Sequence, residues 1–251
     1  MSNPSDSRRA GSVVLFTNGD TSYEFFRDLG QGRVGERILL AQTRTGQRLG
    51  PSVVLKCVPV PQVANLTEKY RRTRARLEEE VRLAQYLQHP RIARVHGLFE
   101  MEYGLCVAME NVEGLTLNTL LSVTHACGRY FSESFILYVG AEVAAALDYA
   151  HTRTDDAGLP LGIVNRDNNP ARIRMGPHGE VRLTDFGVAL SRLAGRLATS
   201  LPRSQGEVLY DAPEMLLGEV VDARADLFSF GNTLVGARHR AAPLRPGSPA
   251  H

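Results

Sequence analysis

Lysine is nearly absent from this chain. Of its 29 basic residues only two are lysines, Lys56 and Lys69; the rest are arginines. The two side chains differ in bulk and in hydrogen-bond geometry. A lysine inside the apolar run "SVVLKCVPV" therefore draws attention to Lys56. Charge of one sign is also lacking. The formal net charge of +2 gives no strong electrostatic case for a nucleic-acid or membrane partner. Cysteine is sparse: Cys57, Cys106 and Cys127 show no zinc-site spacing and no disulfide framework, which fits a reducing, cytoplasmic setting. No run of about 18 apolar residues exists, so no membrane span is expected. The polar start "MSNPSDSRRAGS" has no apolar core like that of a signal peptide. No internal repeat is visible.

What is present reads as two successive regimes. Residues 1–20 are expected to be disordered. From Tyr23 to about Val60, short apolar runs alternate with turns at "GQGRVG" and "TRTGQRLGPS". In "SVVLKCVPV", alternation puts Val53, Leu55 and Cys57 on one face and Val54, Lys56 and Val58 on the other. A helix follows over Thr67–Gln88, with Thr67 as N-cap and with Leu77, Val81, Ala84 and Gln88 on one stripe. Two more strands are expected in "HPRIARVHGLFE" and "GLCVAMENV". The second regime opens with the helix "SESFILYVGAEVAAALDYAHT", capped by Ser132. A hairpin turning over Gly176–Gly179 and the helical pieces "APEMLLGE" and "RADLFSFGNTL" come next. The end, rich in Arg, Pro, Ala and Gly, reads as a disordered tail over 236–251.

Several stretches carry chemistry. "GQGRVG" places glycines at 30, 32 and 35 between two strands, where backbone without Cβ atoms can lie over a phosphate chain. Taken alone it is more often a plain glycine-rich hairpin. Lys56 is either a snorkelling lysine or an ammonium for phosphate held by a carboxylate, with Glu80 as the candidate. In "IVNRDNNPARI", turn-forming polar residues sit between apolar ends. Asp167 in that loop and Asp185 beyond the hairpin form a possible carboxylate pair. One would orient a hydroxyl and accept its proton, and the other would hold Mg²⁺.

In this order the motifs resemble the protein kinase family, closely its eukaryotic-like Ser/Thr branch of bacteria, over about Tyr23–Leu234. "LGQGRVG" resembles the glycine-rich loop (Gly30, Gly32, Gly35), and "VVLK" resembles V-A-I-K, with Lys56 on phosphate. "EVRLAQYLQHPRI" selects Glu80 as the partner of Lys56. "VAMENVEG" resembles the hinge, with Met109 as gatekeeper and the backbone of Glu110 and Val112 facing adenine. "VNRDNNPARI" is similar to H-R-D-x-x-P-x-N; "DFG" stands at 185–187 and "APE" at 212–214. "ADLFSFG" resembles the buried helix whose Asp, here Asp226, braces the catalytic loop. The resemblance implies an α+β, two-lobed fold. Residues 21–112 would form an N-lobe of antiparallel sheet plus one helix, and 113–235 a mainly helical, incomplete C-lobe. It implies ATP and Mg²⁺ as cofactors, and a protein substrate or a regulatory protein as partner. Asp167 would be the catalytic carboxylate, Asp185 the metal ligand and Arg166 a receptor for a phosphorylated residue. Thr199, Ser200 and Ser204 are the candidates for that residue.

The departures are specific. Asn165 replaces the loop's His, a mostly structural position. Asn169 replaces the Lys near the transferred phosphate, and Arg172 replaces the metal-binding Asn. Arg has no acceptor. At about 5 Å from a divalent ion it would be repelled by roughly 7 kcal/mol at an effective dielectric near 20. Arg172 is therefore expected to swing away, or the second Mg²⁺ to be missing, unless the guanidinium contacts phosphate directly. Val54 stands where Ala often touches adenine, Arg37 takes the valine position after the glycine loop, and Glu207 takes the place of a substrate-loop Thr. The short remainder after Gly231 removes the Arg expected to pair with Glu214 and leaves Leu227, Phe228 and Phe230 exposed or covered by a partner. The change in composition after Leu234 also fits a truncated or frame-shifted reading. Three readings stay open: an active ATP-dependent protein Ser/Thr kinase, a pseudokinase that binds nucleotide or a partner, and a fragment without a stable fold.

Overall fold

The computed structural model describes residues 13–32, 35–60, 67–101, 104–193 and 208–238. These form two compact units. One is built from the chain up to Tyr70 and from His96–Asn111; the other from Arg71–Val95 and from Val112 onward. The architecture is α+β.

The first unit is a six-stranded sheet in the order β1-β2-β3-β4-β6-β5. Its strands are β1 Val14–Asn18, β2 Thr21–Gln31, β3 Arg37–Thr45, β4 Arg48–Pro59, β5 Val95–Met101 and β6 Gly104–Glu110. Strand β1 occupies part of the segment expected to be disordered. It pairs antiparallel with β2, and Phe16 stacks on Tyr23 at 4.3 Å between ring centroids. The alternation foreseen in β4 holds. Val53, Leu55 and Cys57 pack into a core with Tyr23, Leu39, Ala41, Cys106 and Ala108. Lys56 on the opposite face is itself buried, at 6% exposure.

One expectation for this sheet is corrected. Cys57 and Cys106 form a disulfide, with their Cα atoms 4.2 Å apart. They are 49 residues apart in sequence, and only the antiparallel register of β4 and β6 brings them face to face. Cys127 is free and exposed.

The second unit begins with α1, Thr67–Ala84, most of which clusters here rather than with the sheet. Thr67 is the helix's first residue, not its cap. Two elements that the sequence reading passed over come next: β7, Leu115–Thr116, and α2, Leu117–Ala126. Thr116 caps α2 by accepting a hydrogen bond from the Thr119 N–H. Helix α3, Glu133–His151, starts at the expected cap, Ser132, and buries Val139, Val143, Ala146, Leu147 and Ala150. Strands β8, Ile173–Met175, and β9, Val181–Leu183, form the expected hairpin and join β7 in a three-stranded sheet. Helices α4, Pro213–Leu217, and α5, Ala223–Arg238, complete the described residues. Helix α5 runs past residue 235, into what was read as the tail. Its Phe230 is buried in the main core, whereas Leu227 and Phe228 are exposed.

A two-pronged ion pair fixes the segment after α1 onto α3. Arg91 donates from Nε and Nη2 to the two carboxylate oxygens of Glu142, at 2.7 and 2.8 Å. Those hydrogen bonds hold the Glu142 carboxyl below its ordinary value. A carboxylate with a lowered folded-state pKa adds stability above its unfolded pKa and loses it as pH falls through the folded one. Glu142→Gln is therefore expected to lower stability by about 1 kcal/mol at neutral pH, with the difference shrinking as pH falls below the unfolded carboxylate pKa near 4 and vanishing only below the lowered folded one. Urea melts at several pH values read this directly. Reduction of the disulfide should cost more. The chain-entropy model for a loop of this length gives about 4 kcal/mol. A reductant is expected to lower the melting temperature of the native chain and to leave a Cys57→Ala, Cys106→Ala double variant unmoved.

Candidate active site

The loop "NRDNNPAR" takes its shape from one buried carboxylate. Asp226 on α5 has no exposed surface. Its Oδ2 accepts the backbone N–H of Asn165 at 2.7 Å, and its Oδ1 accepts that of Arg166 at 2.8 Å. The Nε2 of His151, the last residue of α3, lies 2.8 Å from Oδ2. Arg166 has a φ of 64°, in the left-handed region, which costs a non-glycine residue roughly 1–2 kcal/mol. Hydrogen bonds to an ionised acceptor contribute about as much each, so Asp226 offsets that cost. The Arg166 guanidinium also donates to the Val188 carbonyl from Nε and Nη2, at 2.9 and 2.5 Å. Thr199, Ser200, Ser204 and Glu207 lie outside the described residues.

Asn165 carries the structural duty of its position. It is 1% exposed; its Oδ1 accepts from the Asp167 N–H at 2.9 Å, and its Nδ2 donates to the Asp185 carbonyl at 3.2 Å. The amide thus ties the two aspartate backbones together. Asn169 is buried too, and it faces Asp167. Its Nδ2 donates to Asp167 Oδ1 at 2.8 Å, while its Oδ1 accepts from the Ala171 N–H at 2.9 Å. Both ends of the amide are spent on holding the loop. Asn168, between them, is buried, with both amide atoms unpartnered among the described residues. Such a group costs about 1–3 kcal/mol.

Arg172 lies against both aspartates. Its Nε donates to Asp167 Oδ2 at 2.7 Å, and its Nη1 lies 3.3 Å from Asp185 Oδ2. Its carbonyl accepts from both the N–H and the hydroxyl of Thr184, at 2.8 and 3.0 Å, so the backbone behind the guanidinium is fixed. Both oxygens of Asp167 therefore face donors, Asn169 on one side and Arg172 on the other. Asp185 has a φ of 70°, and its Oδ1 accepts from the Gly187 N–H at 3.0 Å.

Glu80 comes from α1 to the same neighbourhood. It is 4% exposed. A Cβ placed on Gly187 would lie 2.7 Å from Glu80 Oε2 and 3.0 Å from Asp185 Oδ1, so both carboxylates pack closely against the glycine and a larger residue would displace them. Glu214 sits in the first turn of α4, half-buried, without an ion pair among the described residues.

The glycine turn and Glu110, expected in the hinge, belong to the first unit, and Val112 belongs to the second. Gly30 and Gly35 have φ of 99° and 90°, and the Gly32 N–H donates to the Glu36 carbonyl at 2.8 Å. Arg37, in the valine position, is exposed and pairs with Asp28 at 2.6 Å. Glu110 ends β6 opposite Val53, Met109 lies opposite Val54, and Val112 is buried just beyond. His151 and Thr184 were missed by sequence reasoning. Each stabilises the loop through its partner, and neither carries a local signal beyond its residue type.

Comparison with known proteins agrees with this arrangement. A protein kinase domain model matches residues 23–249. The chain belongs to the protein kinase family. It is 32% identical over 227 residues to the tyrosine-protein kinase MasK of Myxococcus xanthus, covering 88% of this chain and 33% of that protein. It is 35% identical to the serine/threonine-protein kinase PknJ of Mycobacterium tuberculosis, covering 70% and 28%. It is also 30% identical to PknF of the same species, covering 91% and 45%. The chain thus spans less than half the length of these relatives. Among solved structures, the PknI kinase domain of M. tuberculosis superposes with a TM-score of 0.60 at 25% identity, covering 91% of this chain and 76% of that one. No described helix is long and apolar enough to cross a membrane.

Kinases of this family use ATP with Mg²⁺. The carboxylate pair as arranged here does not fit that ion. The Arg172 guanidinium already lies against an oxygen of each aspartate, and its positive charge would repel a cation between them.

Asp226→Ala would leave two backbone N–H groups and His151 facing a cavity. The unfolding free energy is expected to fall by about 3 kcal/mol or more. Denaturant titration of the purified variant measures it, and a loss near zero would show that the loop holds its shape without this carboxylate.

Proposed function

We propose that this chain is an ATP-binding protein kinase domain directed at Ser or Thr hydroxyls of a protein substrate. The reading is carried by the loop around Asp167, which Asn165, Asn169 and Asp226 hold rigid. In this reading Gly30, Gly32 and Gly35 lie over the phosphates. Lys56, steadied by Glu80, contacts them, and the backbone of Glu110 and Val112 binds adenine. Asp167 orients the acceptor hydroxyl and takes its proton as the phosphoryl group moves. Asp185 is the position from which the family holds its metal. Arg166 is the receptor for a phosphorylated residue, and Glu214 and Asp226 support the fold of the segment and the loop. The identity to a tyrosine kinase makes the hydroxyl class part of the proposal.

A second reading is favoured by one observation. The two donors on Asp167 compete with a substrate hydroxyl for its oxygens. Losing one electrostatic stabiliser of a transition state typically costs about 10²–10³ in rate. On that reading the chain binds nucleotide, transfers phosphoryl groups slowly, and acts through a regulatory protein partner.

Thermal melting with ATP tests the common part. ATP at about 100 times its dissociation constant should add roughly 2.7 kcal/mol. Lys56→Ala should remove the shift. Asp167→Asn should keep the shift and abolish any transfer of labelled phosphate to a protein substrate; equal transfer by this variant would refute the role of Asp167.

A further inference from the structure

The Arg172 guanidinium stands where two carboxylates converge. It is 2.7 Å from Asp167 and 3.3 Å from Asp185, and its side chain is 23% exposed while those of the aspartates are 3% and 18% exposed. We propose that Arg172 is a resident cation that takes the place of the divalent ions, so that this chain binds metal-free nucleoside triphosphate. The inference rests on the nucleotide-binding reading above and concerns what accompanies the nucleotide.

Three observations carry it. First, the cation is built in rather than adventitious. Thr184 holds the backbone carbonyl of Arg172 through two hydrogen bonds, and the Arg172 N–H donates to the Asn169 carbonyl at 2.9 Å. Second, the charge is already balanced in part. Two carboxylates and one guanidinium leave one negative charge, where an Asn at position 172 would leave two. A divalent ion is drawn to the bare pair far more strongly than to the neutralised one. Third, the guanidinium occupies the space between the oxygens a shared metal would need: its Nε donates to Asp167 Oδ2 at 2.7 Å and its Nη1 lies 3.3 Å from Asp185 Oδ2. Mg²⁺ demands near-octahedral oxygen ligands at about 2.1 Å and gives up its water reluctantly. A guanidinium fixed beside both aspartates denies it that shell. The same guanidinium offers a planar set of N–H donors matched to phosphate oxygens, and it does so at any pH the protein survives.

The consequence is a changed preference between ATP⁴⁻ and its magnesium complex. Protein kinases ordinarily take the complex. Here the resident positive charge supplies what the ion would have brought, and excess Mg²⁺ only sequesters the ligand.

Titration calorimetry with ATP, once in EDTA and once in excess Mg²⁺, reads the preference on the native chain. Electron paramagnetic resonance with Mn²⁺ in the presence of ATP reads metal capture separately. The expected result is an ATP affinity in EDTA equal to or tighter than that in Mg²⁺, with no protein-dependent Mn²⁺ signal. Arg172→Asn, verified by a cooperative melt, should reverse this. ATP should then bind at least about tenfold tighter with Mg²⁺ than without, and a Mn²⁺ signal should emerge. ATP binding by the native chain only when Mg²⁺ is present, or Mn²⁺ held in its ATP complex, would overturn the inference and leave the nucleotide-binding reading standing. A folded Arg172→Asn variant with no gain of metal dependence would also overturn it. Absence of ATP binding by the native chain and the variant alike, with or without metal, would remove both.

Discussion

Asp226 is the group on which the loop geometry depends. A carboxylate with no exposed surface is expensive to bury unless each oxygen is met by donors. Two backbone N–H groups and a histidine meet it here. In exchange, the backbone at Asn165 and Arg166 is fixed in a conformation that an arginine would not otherwise adopt. Everything downstream inherits that choice. With Arg166 turned through a positive φ, Asp167 follows with its N–H on Asn165, and Asn169 closes back onto the Asp167 carboxylate. Helix α5 thus shapes the loop from behind, through backbone hydrogen bonds alone.

The second organising fact is a balance of charge. In the described residues around Gly187, the carboxylates of Asp167, Asp185 and Glu80 gather in a small volume. Such a gathering demands cations, and a protein can supply them from solution or from its own side chains. This chain supplies Arg172. The choice trades adaptability for permanence: an ion can leave or be exchanged, whereas a side chain on a backbone held by Thr184 stays with the chain. Asn168 marks a second local compromise, since two unpartnered amide atoms sit in the middle of the loop. Costs of this kind concentrate at functional sites, where the surrounding fold tolerates them.

Much of this was legible in the amino-acid order. The alternation in "SVVLKCVPV" foretold both faces of β4, the Ser132 cap foretold the start of α3, and the glycines at 176 and 179 foretold the β8–β9 turn. These are local signals of period and turn chemistry. What escaped was either weak locally or set at a distance. Helix α2 has a Thr cap and Leu117, Leu120 and Leu121, but its ten residues are too few to show a clear stripe. Strand β1 is short and polar at its edges, and it exists because β2 offers it a partner. The position of Arg172 was open to the sequence only as a set of alternatives. Its outcome depended on two carboxylates that come together through the β8–β9 hairpin. The pairing of Cys57 with Cys106 was invisible for the same reason, because spacing in sequence says nothing about register between strands.

That register has a meaning for the lysine beside it. In a strand, moving the pairing by one residue exchanges the two faces. On β4 such a slip would carry Lys56 to the side now held by Leu55 and Cys57, and would thrust an ammonium group into an apolar core. The bond between Cys57 and Cys106 makes that alternative pairing covalently inaccessible. The sole lysine of the sheet is thereby assigned its side by a crosslink one residue away, and the strand keeps time with its neighbour whatever the sheet around it does.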